Sequence, residues 1–181
     1  MNESKLTTKD RAAGFVGALR RVRNDRGKLA ALRRGLIDNP RMHVDAWPVV
    51  ASLGGDIAKP VFVTVAALFA SYPEESKARN FGETCRSIAL KDSSDGKIPD
   101  SFQRRFRRLL AAGDVDDATG QLRSWIRHAA GKGVGVNYES LFADLWNWPW
   151  YADDIRVKWA KSFWESGETA AETQTANATN A

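Results

Sequence analysis

The chain has 181 residues, of which 43% are hydrophobic and 27% charged, and a formal net charge of +5. This size favours one globular unit or two small subdomains that share a core, and the charge modestly favours an anionic partner. The single cysteine, Cys85, excludes an internal disulfide and fits a reducing cytoplasm. No stretch approaches the ~20 apolar residues of a membrane helix, and residues 1–14 lack the apolar segment of a secretory signal.

The first part of the chain predicts two short amphipathic helices with many basic residues. Apolar side chains recur at helical spacing from Phe15 to Val22 and again from Leu29 to Leu36. Between Leu19 and Arg34 one acid, Asp25, stands among seven basic residues: Arg20, Arg21, Arg23, Arg26, Lys28, Arg33 and Arg34. Two interpretations stay open, a solvated helix pair and an anion-binding face.

A central buried helix is predicted next. Residues 61–72 are apolar on nearly every side, and Pro60 suits the first turn of a helix. The β-branched residues of this stretch are also compatible with a strand, but no neighbouring segment offers a partner strand. Phe81, Cys85 and Ile88 indicate one more helix, and turn-forming residues at 91–100 suggest a subdomain boundary.

Residues 101–126 predict two amphipathic helices with a sharp joint. Phe102, Phe106, Leu109 and Leu110 share one helical face, which leaves the arginines of this stretch on the other faces. Gly113 is expected to adopt the left-handed conformation that ends the first helix, and Asp114 is expected to cap the second. On the second helix, Arg123 and Arg127 are four residues apart and form one basic row.

The C-terminal part predicts a loop, a helix, an aromatic turn and a last helix. Gly131–Gly135 is expected to be flexible, Asn137 to cap a helix, and Trp148–Tyr151 to form the turn. Asp153 or Asp154 then caps the last helix. Whether Trp148 and Trp150 stack on nucleic-acid bases or serve the fold stays open.

We therefore predict an all-α protein with two small helical bundles packed together. The N-terminal subdomain comprises residues 1–95 and the C-terminal subdomain residues 96–166. Residues 167–181 lack periodicity and are predicted to be a disordered polar tail.

No catalytic residue, cofactor or metal site is predicted. His43 and His128 are far apart, and Cys85 lies on an apolar stripe, where an inert buried thiol is the usual case. The acids at 114–117 lack the sixth-position Gly and twelfth-position Glu of a calcium loop. The glycines at 131–135 lack the spacing of a phosphate loop. A small thiol hydrolase that uses Cys85 is the weakest of three functional hypotheses.

Several segments resemble the CasB family, the small subunit of the type I-E CRISPR surveillance complex Cascade. The resemblance rests on FQRRFRRLLAAGDVDDATGQLRSWIRHA at 102–129 and VNYESLFADLWNWPWYADDIRVKWAKSFW at 136–164. NFGETCRSIAL at 80–90 is similar to the segment before the arginine-rich helix of that family, and Arg86 takes the place of its arginine. LAALRRG at 29–35, with Arg33 and Arg34, is a weaker match.

This resemblance implies an all-α subunit that is not an enzyme. It implies that two copies lie head to tail along the complex and that their basic faces support the guide RNA–target DNA heteroduplex and the displaced DNA strand. The implied partners are the backbone, large and head subunits of Cascade, while a separate helicase-nuclease cuts the DNA. No membrane is implied.

The favoured hypothesis is a non-catalytic Cascade subunit that binds nucleic-acid backbone without reading sequence, because arginine donates paired hydrogen bonds to phosphate. The predicted phosphate contacts are Arg33, Arg34, Arg86, Arg105, Arg108, Arg123 and Arg127. Of these, Arg105, Arg108, Arg123 and Arg127 are expected to form one ridge, with Arg104 and Arg107 solvated or facing other subunits. The alternative is an all-α interaction or scaffold protein without nucleic-acid binding.

Overall fold

The computed structural model describes residues 6–36, 43–91 and 93–165. These residues form α1 (Thr8–Arg21), α2 (Arg26–Arg33), a 3₁₀ turn (Arg34–Leu36), α3 (Trp47–Ser52), α4 (Pro60–Ser71), α5 (Phe81–Leu90), α6 (Asp100–Leu110), α7 (Val115–Lys132) and α8 (Tyr138–Trp164). Within these residues a single β-bridge joins Glu75 and Val136. The prediction of an all-α fold is confirmed. None of the described helices is long and apolar enough to cross a membrane, and the predicted tail lies outside the described residues.

Helix α4 is the centre of the fold. All ten residues from Val61 to Ala70 are buried, and Pro60 occupies the first turn, where its missing N–H costs no hydrogen bond. Helices α1, α2, α3, α7 and α8 pack around it together with the 3₁₀ turn. A helix that is apolar on every side is stable only when other elements surround it, as they do here. The alternative of a strand at residues 61–72 is wrong.

One hydrophobic core runs through both halves of the chain, from Ala12 in α1 to Phe163 in α8. Helix α5 packs closely on α8: a Cβ atom at Gly82 would lie 2.1 Å from the carbonyl oxygen of Trp159. The Asn80 amide also donates to Ser162 Oγ across this contact, at 2.7 Å. The division into two subdomains near residue 95 stays a prediction.

The joint between α6 and α7 differs from its predicted geometry. Gly113 does not have a positive φ angle, so the left-handed helix end predicted there is wrong. The predicted cap is confirmed, since Asp114 accepts a hydrogen bond from the Asp117 N–H at 2.8 Å. Asp117 in turn accepts from the Gly113 N–H at 3.0 Å, which fixes the joint without a left-handed residue.

The glycine-rich segment after α7 is tied to the core, so the predicted flexible loop is wrong. Helix α7 continues to Lys132 and ends at Gly133, whose φ angle of 64° is left-handed. Val134 and Val136 are then buried, and the Val136 N–H donates to the Glu74 carbonyl at 3.0 Å. A Cβ atom at Gly135 would lie 2.5 Å from the Glu75 carbonyl oxygen, so glycine permits this close approach.

The predicted aromatic turn is a kink within the long helix α8. Pro149 lies inside this helix, where it cannot donate the intrahelical hydrogen bond, and Tyr151, two residues further on, has non-helical angles (φ −132°, ψ 29°). Asp153 and Asp154 lie beyond Tyr151, within the second half of α8, so the capping role predicted for Asp153 or Asp154 is wrong. The buried Asp144 carboxylate spans the kink, accepting from the Trp159 indole at 2.7 Å and pairing with Lys158.

Cys85 is fully buried, and burial raises the pKa of its thiol well above the ordinary value. We therefore expect the native protein not to react with iodoacetamide at pH 8, because the thiolate is the nucleophile and burial disfavours it here. The same protein in denaturant should react fully, as mass spectrometry of the alkylated product will show. Rapid labelling of the native chain would restore the thiol-hydrolase hypothesis.

Candidate nucleic-acid interface

Much of the N-terminal basic run is neutralised within the fold. Arg20 forms two 2.8 Å hydrogen bonds with Glu75 and a third, of 2.6 Å, with Glu139. Hydrogen bonding to Glu75 raises the pKa of Arg20. Three further bases of the run have acidic partners: Arg23 with Glu74, Lys28 with Asp25, and Arg34 with Asp45. These pairs favour a structural role for most of the run.

Three arginines lie around the C-terminal end of α4, and two of them, Arg123 and Arg127, line a small cavity there. We call Arg33, Arg123 and Arg127 the cleft group. Arg33, in the last turn of α2, donates from Nε to the Ala70 carbonyl at 2.8 Å. Arg123 on α7 donates to the Leu36 carbonyl at 3.0 Å and lines a cavity of about 280 Å³, which Arg127 also lines one helical turn further on.

The cleft group has donors to spare. Each guanidinium carries five N–H donors, and single bonds to Ala70 or Leu36 leave most of them available. Helix α4 points its negative C-terminal end at Arg33, which holds the side chain in place. Among the described residues that line the cavity, two are arginines and none is acidic. The arrangement suits an anion such as a phosphate group.

A second basic set lies along the contact of α6 with α7. We call Arg105, His128 and Lys132 the α6–α7 group. Arg105 donates to Ser124 Oγ at 2.6 Å, and the Lys132 ammonium lies 4.7 Å from the centre of the Phe102 ring. Burial lowers the pKa of His128, and the charges of Arg105, Lys132 and Arg127 lower it further. This region therefore has a positive potential, and Arg127 links it to the cleft group.

The other predicted phosphate contacts lie elsewhere. Arg86 is half-buried and donates to the Phe163 carbonyl at 2.8 Å, so it ties α5 to the last turn of α8. Arg34 is paired with Asp45. Arg108 is exposed on α6 and forms no hydrogen bond or ion pair with the described residues.

The single ridge predicted for Arg105, Arg108, Arg123 and Arg127 stays a prediction. Arg123 donates to the 3₁₀ turn, whereas Arg105 reaches Ser124, which lies about 100° round α7 from Arg123 and about 60° from Arg127. Sequence reasoning missed His128 and Lys132 as part of the basic surface. Their spacing of four residues is the available signal, but the glycines around Lys132 indicate a loop rather than a helix.

Among the described residues, no group of three or more His, Cys, Asp or Glu side chains is placed to hold a metal ion. His128 has aromatic and basic neighbours rather than further ligands, its ring meeting that of Phe102 edge-on at 5.5 Å. The basic surface offers hydrogen bonds and positive charge.

Residues 28–164 match the family model described as CRISPR-associated protein Cse2. No curated protein matches the chain.

Solved structures share the fold. A Cse2-family protein from Thermus thermophilus is 23% identical with a TM-score of 0.69, covering 86% of this chain and 98% of its own. A chain of a CRISPR RNA-guided surveillance complex is 23% identical with a TM-score of 0.70, covering 93% and 99%. CasB from M. ruber is 23% identical with a TM-score of 0.63, covering 95% and 99%.

Proposed function

This chain belongs to the Cse2 family of CRISPR-associated proteins, and we propose that it is the non-catalytic small subunit of a type I-E surveillance complex in the cytoplasm. In that role it binds the backbone of the guide RNA–target DNA heteroduplex and of the displaced DNA strand without reading sequence. Its protein partners are the backbone, large and head subunits of Cascade and a second copy of itself. The similar fold of a chain from a CRISPR RNA-guided surveillance complex supports this assignment.

The observation that carries nucleic-acid binding is the cleft group. Arg33 and Arg123 come from α2 and α7, and each is held by one carbonyl bond with other donors left over. Fixed guanidinium groups lose little conformational freedom when they bind a phosphate. Phosphate contacts position a protein on nucleic acid and carry no sequence information, which agrees with a binding mode that tolerates any target.

The test replaces Arg33, Arg123 and Arg127 together by alanine and measures binding to two unrelated single-stranded oligonucleotides at rising salt. We expect affinity to fall about tenfold or more, because charged hydrogen bonds to phosphate are lost. The slope of log affinity against log salt should become shallower by about 2, at roughly 0.7 per phosphate contact. Both oligonucleotides should respond equally.

The matched control replaces Arg21, Arg26 and Arg104 by alanine. It removes the same three charges from exposed positions, and we expect a smaller loss of affinity than in the cleft variant. Equal losses would mean that net charge alone governs binding. Salt-insensitive affinity, or full affinity in the cleft variant, would favour the scaffold alternative, which the acid-paired bases Arg20 and Lys28 of α1 and α2 also fit.

A second prediction concerns His128. A phosphate bound near Arg105, Arg127 and Lys132 would offset the positive charges that lower the pKa of this histidine. We therefore expect the pKa of His128 to rise when an oligonucleotide binds. Binding should then tighten as the pH falls through the interval between the pKa values of His128 in the bound and the free protein. Ring-proton NMR titration measures this directly, because the chain has two histidines and His128→Gln identifies the signal. An unchanged pKa would place the phosphate away from the α6–α7 group.

A further inference from the structure

A continuous groove lies where the start of α4, the start of α7 and the kink of α8 meet. It consists of a cavity of about 810 Å³ beside α8 and another of about 470 Å³ beside α3. Pro60 and Asp116 line both cavities, so the two are adjoining parts of one surface. We call it the acidic groove. Of its described lining residues, Leu36 alone also lines the cavity of the cleft group, and no arginine of that group lines the groove.

Large apolar side chains are exposed along the acidic groove. Trp150 and Tyr151, at the kink, are 69% and 57% exposed, and Ile57 and Trp47, beside the second cavity, are 44% and 37% exposed. Trp148, two residues before Trp150, is buried. Exposed aromatic residues beside a groove are typical of a protein–protein contact, because aromatic side chains dominate the energy of such contacts.

The charge of the groove is opposite to that of the chain as a whole. Its described lining contains four aspartates, Asp114, Asp116, Asp153 and Asp154. The one arginine there, Arg156, is already bonded to Asp153 at 2.6 Å and to the Ala112 carbonyl at 2.5 Å. Such a surface repels phosphate and attracts lysine or arginine.

The groove also holds a buried donor without a partner. Trp148 lines it and is 2% exposed, and its indole N–H has no acceptor among the described residues. A buried N–H without an acceptor costs stability. The Trp148 nitrogen is itself closed to solvent, so docking rests on the exposed aromatic side chains and the carboxylates.

We propose that the acidic groove docks a segment of another protein of the surveillance complex that carries lysine or arginine beside large apolar side chains. This inference rests on the proposed function and assigns a surface to one of its protein partners. The basic side chains pair with Asp116 and Asp154, and the apolar ones cover Trp150 and Tyr151. The chain then has two binding surfaces of opposite charge, a basic one for nucleic acid and an acidic aromatic one for protein.

The test co-expresses the full chain with the other complex proteins and a guide RNA and quantifies the small subunit in the purified assembly. The groove variant combines Asp116→Asn, Asp154→Asn and Trp150→Ala. The control combines Asp100→Asn, which also lies in the first turn of a helix, with Leu6→Ala, which is 63% exposed. We expect the groove variant to bind the assembly about tenfold or more weakly. The control should bind it as the unmodified chain does.

Two further measurements separate the possible failures. Oligonucleotide binding by the isolated groove variant should stay within about twofold of the unmodified chain, since the proposed phosphate contacts do not line the groove. If the unmodified chain joins no assembly, the proposed function and this inference both fail. If it joins and the groove variant joins equally well, the inference alone is wrong. If sedimentation shows a dimer for the isolated unmodified chain and a monomer for the groove variant, the occupant is a second copy and the proposed partner is wrong.

Discussion

Replacement of Gly82 by alanine is expected to lower the free energy of unfolding by about 3 kcal/mol. The new Cβ atom would lie 2.1 Å from the carbonyl oxygen of Trp159 and 2.7 Å from its carbonyl carbon. Both atoms belong to the backbone of α8, so no side-chain rotation relieves the overlap. Helix α5 must move away from α8, and the packing of Phe81 on the Trp159 ring, now at a centroid distance of 5.6 Å, must change with it.

Thermal and urea unfolding measure this effect, with a melting temperature lowered by roughly 6–12 °C for a chain of this size. Gly120→Ala is the matched control. Gly120 lies inside α7 and an added Cβ would meet no atom within 4 Å. The control should gain about 0.5–1 kcal/mol, because alanine favours a helix over glycine. Equal stability of the two variants would mean that α5 and α8 separate without cost.

The same contact gives Arg86 a structural explanation. Arg86 follows Gly82 by one helical turn on α5, and it donates to the Phe163 carbonyl of the helix against which Gly82 packs. Arg86 is half-buried and bonded to the Phe163 carbonyl, and these contacts explain an arginine at this position without a contact to phosphate. A role in nucleic-acid binding stays a prediction for Arg86, and Gly82→Ala should disturb its hydrogen bond.

Most of the helices and two of their N-terminal caps were predictable because their signals are local. The continuous apolar stretch that becomes α4 predicts a central helix buried on all sides, because no neighbouring segment offers a partner strand. Asp114 and Asn137 act as caps because a short polar side chain accepts from an N–H three residues on, at 2.8 and 3.0 Å. Neither interaction depends on the rest of the fold.

The errors occur where distant contacts override local signals. Glycines at 131–135 indicate flexibility, yet pairing of Val136 with residues 74 and 76 holds this segment. Pro149 and its aromatic neighbours indicate a turn, yet the helix continues because buried Trp148 and Trp159 pack together at 5.4 Å across the kink. The partners of Val136 are at least 60 residues away, and Trp159 is 11 residues beyond Trp148 on the other side of the kink, so no short local pattern reveals either pairing.

The candidate site was also predictable only in part. The sequence pattern named Arg33, Arg123 and Arg127, since arginines beside an apolar stripe stay at the surface. Which of the seven arginines lie together depends on tertiary contacts 37 and 87 residues apart along the chain. The acids that neutralise the N-terminal run are equally remote, such as Glu75 and Glu139 for Arg20.

Replacement of Asp144 by leucine is expected to cost about 3 kcal/mol of stability. The carboxylate is 4% exposed and joins the two halves of α8 by accepting from Trp159 and pairing with Lys158. Leucine leaves the fully buried Trp159 N–H without an acceptor, which costs about 1–3 kcal/mol. Loss of the ion pair adds to this, but Lys158 is partly exposed and its charge can turn to solvent.

Asp144→Asn should cost less than Asp144→Leu, because the amide oxygen still accepts from the Trp159 indole. Asp154→Leu, an exposed aspartate on the same helix, serves as the control and should change stability by no more than about 0.5 kcal/mol. Urea unfolding ranks the three variants, and hydrogen exchange at residues 148–152 reports the kink. We expect faster exchange there in Asp144→Leu, since the carboxylate bridges the two halves at the point where Pro149 interrupts their hydrogen bonds. If exchange stays at the unmodified rate, packing of Trp148 on Trp159 holds the kink and the carboxylate does not.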